Sequence, residues 1–184
     1  MENFLVELEG PILLWIQEYV RNDFLTPVMK FITTLGNAGA IWIAAAVVLL
    51  CMKKTRKQGL LVTCSLLGTL LVNNIVLKNL IARTRPYEVI EGLHILVNKP
   101  VDFSFPSGHT GCSFAAGVMM FLVCPKKIGV PAMILAVLIS FSRLYVGVHF
   151  PTDVLGGMIT GTLIALVIYW IYQRKTASSE MHKL

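Results

Sequence analysis

An all-α, polytopic membrane helical bundle, with about five transmembrane helices plus amino-terminal interfacial helices, is the fold class this sequence predicts, on three observations. Of its 184 residues 55% are apolar before the 14 glycines are added, and only 14% are charged. Soluble domains carry about 25% charged residues. A mean hydropathy of +0.71 confirms that too little polar side chain is present to cover a globule, which excludes a soluble enzyme. Finally, runs without a formal charge recur at the length of about 20 residues that crosses a bilayer core. Five such spans use about 100 residues, leaving no room for a separate soluble domain. The net charge is +6; its meaning depends on which side of the membrane holds the cations, and no nucleic-acid partner is expected.

The first thirty residues are read as an amphipathic interfacial helix. The apolar run Pro11 to Ile16 is too short to cross, and Arg21-Asn22-Asp23 would sit mid-span in any longer segment. Phe24, Leu25, Val28, Phe31, Ile32 and Leu35 recur at helical spacing before a break at Gly36-Asn37-Ala38-Gly39. The organisation expected is an amino-terminal segment, 1–37, and a transmembrane domain, 38–184. No cleaved targeting peptide is expected, since the chain opens Met1-Glu2-Asn3-Phe4 with Glu7 and Glu9 soon after.

The spans follow from the distances between charges: Phe31 to Met52, Gln58 to Leu77, Phe103 to Pro125, Ile128 to about Gly147, and Val154 to Gln173. Arg143 then lies roughly one turn inside the fourth. Cys51, Cys64, Cys112 and Cys124 lie in or beside these runs without ligand-like spacing and read as buried apolar side chains. Alternation of five spans puts Lys53, Lys54, Arg56, Lys57, Lys126, Lys127, Arg174, Lys175 and Lys183 on one side, opposed there only by Glu180. That side is expected to be cytoplasmic, so the amino terminus, the loop from Arg83 to Phe105 and the turn from Arg143 to Asp153 are expected to face outward.

Three groups on that outer side carry chemistry. Lys78 and Arg85 lie two helical turns apart and face the same way if the helix persists, before Pro86 biases the chain out of helix. Interfacial snorkelling of basic side chains explains them equally well in isolation. Phe105-Pro106-Ser107-Gly108-His109 opens the third span, where unpaired N–H groups and the helix dipole attract anions; a plain helix cap by Ser107 is the alternative. In the third group Arg143 is costly inside a span unless it faces a polar cavity. Pro151 suits the first helical turn, which brings Asp153 near His149. A carboxylate that accepts a proton from one imidazole nitrogen fixes the other as a lone-pair nucleophile; an ordinary cap by Asp153 beside an interfacial His149 is the alternative. Together, three cations, a helix end, two histidines and one carboxylate match phosphoryl transfer through a covalent histidine intermediate. The only acids near these motifs are Glu88, Glu91, Asp102 and Asp153, too few and scattered for a two-metal site, so no metal is expected.

Lys78-x6-Arg85-Pro86, Pro106-Ser107-Gly108-His109 and Ser142-Arg143-x5-His149-x3-Asp153 resemble the three signatures of the type 2 phosphatidic acid phosphatases, a superfamily that includes the vanadium haloperoxidases. Eleven specified positions recur in order. The resemblance is close from Lys78 to Asp153 and weak before Phe31; many relatives have six spans. It implies that His149 attacks phosphorus, Asp153 orients it and His109 protonates the departing lipid oxygen. Lys78, Arg85, Ser107, Gly108 and Arg143 would hold the phosphoryl oxygens, with no cofactor.

An outward phosphate site beside apolar spans suits a membrane lipid phosphate or diphosphate as partner. The resemblance implies bacterial enzymes acting on undecaprenyl diphosphate, the favoured substrate, or on phosphatidylglycerophosphate or phosphatidic acid. Arg83, Tyr87, Glu88, Glu91, His94 and Lys99 are the candidates in the outer loop for choosing the headgroup. A lipid phosphotransferase shares every catalytic residue, whereas a transporter usually shows repeated halves, and no internal repeat is found.

Overall fold

The computed structural model describes residues 2–181, with side chains from Val6 to Ser178; Lys183 and the Glu180 side chain, counted above with the basic side, lie outside the described residues. Every regular element among those residues is a helix. Helix α1, Glu2–Trp15, continues through a π-helical turn, Ile16–Val20. Asn22 then accepts from the Phe24 and Leu25 N–H groups at 3.1 and 2.8 Å, satisfying the donors at the start of α2, Leu25–Leu35. Left-handed Ala38 and Gly39, at φ 49° and 71°, turn the chain by 50° into α3, Ala40–Cys51. Helix α4, Arg56–Thr69, runs through a π-helical stretch, Leu70–Leu77, into α5, Lys78–Ile81. After the short α6, Pro86–Val89, come α7, Gly108–Val123, α8, Lys126–Tyr145, and α9, Pro151–Met181.

Three helical stretches are long and apolar enough to cross a membrane, Arg56–Val89, Lys126–Tyr145 and Pro151–Ser178, and the bent pair Leu25–Leu35 and Asn37–Cys51 makes a fourth if it counts as one span. The bend falls at the Gly36-Asn37-Ala38-Gly39 break that the sequence offers, dividing the charge-free run from Phe31 to Met52 between α2 and α3. Helix α7 has 16 residues, about 24 Å at the usual rise, less than a bilayer core. It packs against α4, α8 and α9, so most of its surface meets protein and has no need to match the lipid thickness.

Around Met119 of α7 lie Trp42, Val62, Ile139 and Ala165 in one buried cluster, and the Trp42 indole N–H donates to Ser113 at 2.9 Å. Leu60, Leu67, Leu71, Ile134, Val137, Ile159, Leu163 and Val167 point away from the bundle, the pattern of a lipid-facing surface. Contact between α7 and α9 depends on small residues: a Cβ at Gly161 would come within 2.4 Å of the Gly111 carbonyl oxygen. Gly161→Ala is expected to force the two helices apart at a cost of about 1–3 kcal/mol, read as a lower Tm in detergent; an unchanged Tm would contradict so close a contact.

Two details of the sequence reading change. Cys51 and Cys64 are exposed and Cys112 is partly buried, leaving only Cys124 in the core; a thiol is apolar enough for an outer bundle surface. The helix does not persist from Lys78 to Arg85, since Ala82 adopts φ 47° and ends it. The charge asymmetry, by contrast, has a clear counterpart. Lys57, Leu122, Val123 and Gln173 line one cavity of about 310 Å³, so the start of α4 and the ends of α7 and α9 meet at a single end of the bundle. Lys126, Lys127, Arg174 and Lys175 flank that end in sequence.

Candidate functional site

The opposite end holds a cavity of about 1060 Å³, whose walls include Lys78, Arg85, Gly108, His109, Arg143 and His149. Six of the eight site residues anticipated from the sequence thus converge on one space. Ser107 and Asp153 are fully buried outside that lining.

Lys78 and Arg85 meet through the left-handed break at Ala82 and a shared partner. Asp102 accepts from Lys78 Nζ through Oδ2 and from Arg85 Nη2 through Oδ1, the latter at 2.7 Å. Arg85 Nε donates to the Asp102 carbonyl at 2.8 Å, and Nη1 to the Val148 carbonyl at 2.7 Å, which aims the guanidinium at the His149 turn. Burial alone would raise the Asp102 pKa, but the Lys78 and Arg85 contacts outweigh it and hold the carboxyl down to about 2. A carboxylate therefore sits on two cations that a phosphoryl group would also seek.

Arg143 is 4% exposed and enters from the last turn of α8. Its Nη1 donates to Thr33 Oγ1 at 2.6 Å, while Nε is buried without a hydrogen-bond partner. Among the described residues it forms no ion pair. A buried guanidinium that faces a cavity and has no carboxylate partner of its own among the described residues has the chemistry to receive an anion.

His149 lies in the turn between α8 and α9, 2% exposed. Its Nδ1 is 3.4 Å from Asp153 Oδ2, a contact longer than an ordinary hydrogen bond, and its Nε2 is 3.5 Å from Arg85 Nη1. A carboxylate oxygen can only accept, so Nδ1 is assigned the proton and Nε2 the lone pair. Burial pushes the imidazole down to about 4, against the opposing pull of Asp153 and with help from Arg143 and Arg85. The ring is therefore held in its neutral form, with the Nε2 lone pair available.

Asp153 is held from several directions. Oδ2 accepts from the Phe150 N–H at 2.8 Å and from the Ser104 hydroxyl. Oδ1 accepts from Arg83 Nη1 at 2.8 Å. Its backbone carbonyl receives the Ser107 N–H at 3.0 Å, tying the start of α7 to that of α9. Ser107 itself caps α7: its Oγ accepts from the Thr110 hydroxyl at 3.1 Å and stands 3.5 Å from the Thr110 N–H. Gly108 and His109 follow as the first helical residues, whose N–H groups have no intrahelical acceptor. His109 Nε2 is 2.9 Å from Asn37 Oδ1, and Gly36 makes room for the ring, since a Cβ there would lie 2.7 Å from His109 Cδ2.

The outer-loop reading needs correction. Arg83 is buried and paired with Glu9 and Asp153, and none of Arg83, Tyr87, Glu88, Glu91, His94 and Lys99 lines the cavity. Ile95, Leu96, Val97, Asn98, Pro100 and Asp102 do. Lys99 lies over the Tyr87 ring at 5.5 Å, and the Tyr87 hydroxyl donates to the Pro100 carbonyl, so these side chains brace the loop. Sequence reasoning also missed Thr33, Asn37, Asp102 and Ser104, each set against a site residue by contacts 17 to 110 positions apart. The one local signal was polar residues amid apolar neighbours, as in Phe103-Ser104-Phe105.

Known proteins give the same picture. The family model described as the PAP2 superfamily matches residues 58–177. An undecaprenyl-diphosphatase from Sulfolobus acidocaldarius is 35% identical over 143 residues, covering 78% of this chain and 68% of its own. The crystal structure of a transmembrane PAP2-type phosphatidylglycerolphosphate phosphatase from Bacillus subtilis superposes with a TM-score of 0.70 at 32% identity, over 84% of this chain and 80% of that one. Aquifex aeolicus LpxE, 24% identical, shares the fold with a TM-score of 0.77 over 88% of this chain and 94% of its own. With that match over most of its length and an all-helical bundle closing around the matched motifs, the chain belongs to the PAP2 superfamily.

Proposed function

We propose that the protein is an integral membrane phosphatase that hydrolyses a lipid phosphate or diphosphate, undecaprenyl diphosphate foremost, through a phosphohistidine intermediate. The observation that carries this is the buried His149, its Nε2 beside Arg85 in a cavity that Lys78, His109 and Arg143 share. His149 Nε2 attacks phosphorus, forming the N–P bond as the P–O bond to the lipid breaks. His109 gives the departing oxygen its proton, then takes one from the water that cleaves phosphohistidine. Lys78, Arg85 and Arg143 stabilise charge on the equatorial oxygens, with the Gly108 N–H and the Ser107 helix end behind them. The incoming phosphoryl group replaces the Asp102 carboxylate on Lys78 and Arg85.

Three cations placed where metal ions would otherwise neutralise phosphate support a metal-independent reaction, and among the described residues no group of three or more His, Cys, Asp or Glu side chains gathers as a ligand set. The basic end of the bundle, remote from this cavity, supports a cell-membrane protein with that end cytoplasmic and the site extracytoplasmic. Counting the bent pair and α7 as crossings gives the five spans this orientation uses.

The test is phosphate release by detergent-purified protein from undecaprenyl diphosphate, phosphatidylglycerophosphate and phosphatidic acid in excess EDTA. EDTA-resistant release, fastest from the polyprenyl diphosphate, is expected. A preference for phosphatidylglycerophosphate would transfer the assignment to that lipid, as the Bacillus subtilis relative suggests. Phosphorylated alcohol without free phosphate would make the protein a phosphotransferase, and loss of activity in EDTA would overturn metal independence.

A further inference from the structure

Among the described residues, a set of buried charges outside the cavity joins the first helix to the carboxylate beside His149. Glu9 of α1 is 2% exposed, just ahead of the apolar run Pro11 to Ile16 and well before the family-matched residues. Its Oε1 accepts from the Thr152 N–H at 2.6 Å, and its Oε2 from the Thr152 hydroxyl at 2.9 Å and Arg83 Nη2 at 2.7 Å. The other fork of the same guanidinium, Nη1, donates to Asp153 Oδ1 at 2.8 Å and Thr152 Oγ1 at 2.6 Å. The Phe150 ring covers one face of Arg83 at 3.9 Å. One cation is thus shared by two buried carboxylates, of which only Asp153 touches His149.

The sharing has an electrostatic consequence. In a poorly screened interior, Arg83 facing Asp153 alone would neutralise most of that carboxylate's charge. Asp153 would then support His149 less well as positive charge develops on the ring during attack on phosphorus. Glu9 draws on the opposite fork of Arg83 and offsets it. Neither Glu9 nor Arg83 lines the cavity, so neither is placed to bind substrate.

We propose that Glu9 is a positioning residue for phosphoryl transfer: acting through Arg83, it fixes Asp153 and keeps that carboxylate's charge directed at His149. The proposal rests on the His149 reading above. Glu9→Gln keeps the side chain's size while removing its charge. It is expected to lower kcat about ten-fold or more, with KM within about two-fold of wild type. In an Arg83→Gln background the charge has nothing left to offset, so Glu9→Gln/Arg83→Gln should match Arg83→Gln within about two-fold in kcat. If Glu9→Gln alone fails to fold, a further loss of kcat in the double variant relative to Arg83→Gln still overturns the proposal.

A wild-type kcat in Glu9→Gln, a change in KM alone, or an equal loss of kcat in both backgrounds would overturn the proposal; the last would mean a brace that acts without Arg83. His149→Ala, run in parallel, separates the two ideas. Its inactivity leaves the Glu9 comparison to stand or fall by itself, whereas an active His149→Ala protein removes the phosphohistidine reading on which the proposal rests.

Discussion

Replacing His149 with alanine is expected to reduce kcat by about ten-thousand-fold or more on any lipid the protein hydrolyses, a loss typical of removing a covalent nucleophile. The cavity's second imidazole and its carboxylate are both already engaged. His109 is hydrogen-bonded to Asn37, and the cavity's Asp102 carboxylate is engaged by Lys78 and Arg85. Because Lys78, Arg85 and Arg143 remain, the variant should still bind its lipid, so the loss falls on kcat rather than KM. The measurement is steady-state phosphate release with a parallel lipid-binding assay and a melting curve. Activity within about ten-fold of wild type in a folded His149→Ala protein would contradict the mechanism.

The second large effect is expected at Arg143. Arg143→Lys keeps the charge but removes the planar fork, and with it the ability to hold Thr33 while reaching toward the cavity. Loss of one oriented donor to a transition-state oxyanion costs about 100-fold or more in rate, roughly 3 kcal/mol. Thr33 belongs to α2, so this also tests whether the bent first helix pair contributes to the site. Thr33 would lose only a neutral contact, and the Tm should move much less than kcat/KM. Near-normal kcat/KM in Arg143→Lys would show that point charge alone suffices there.

Residues that act through short-range spacing were legible in the sequence. The four positions from His149 to Asp153 span one turn around the start of α9, and Pro151 marked that start correctly. Ser107 capped α7 as its position before a long apolar run implied. Arg143 could be read because an ionised side chain inside a span demands a polar surrounding. Residues that act across the fold were not legible. Arg83 looked like an outer-loop charge, because its partners Glu9 and Asp153 lie 74 and 70 positions away and no local pattern joins them. Lys78 and Arg85 were paired for the wrong reason: their meeting depends on Asp102, from a loop without periodicity, and on a left-handed alanine that propensity does not foresee. The bend after α2 was visible in its glycines, yet its contribution of Thr33 and Asn37 to the cavity was not, since it depends on how α2 packs against α8.

The most direct test of the covalent mechanism is a single turnover with lipid radiolabelled in its reacting phosphate, quenched in alkali, where phosphohistidine survives. Wild-type protein is expected to carry the label on the peptide containing His149, to lose it on mild acid treatment, and to show none in the His149→Ala variant. Lipid consumed and phosphate formed with no protein-bound label at any time, or a label on a residue other than His149, would contradict the account.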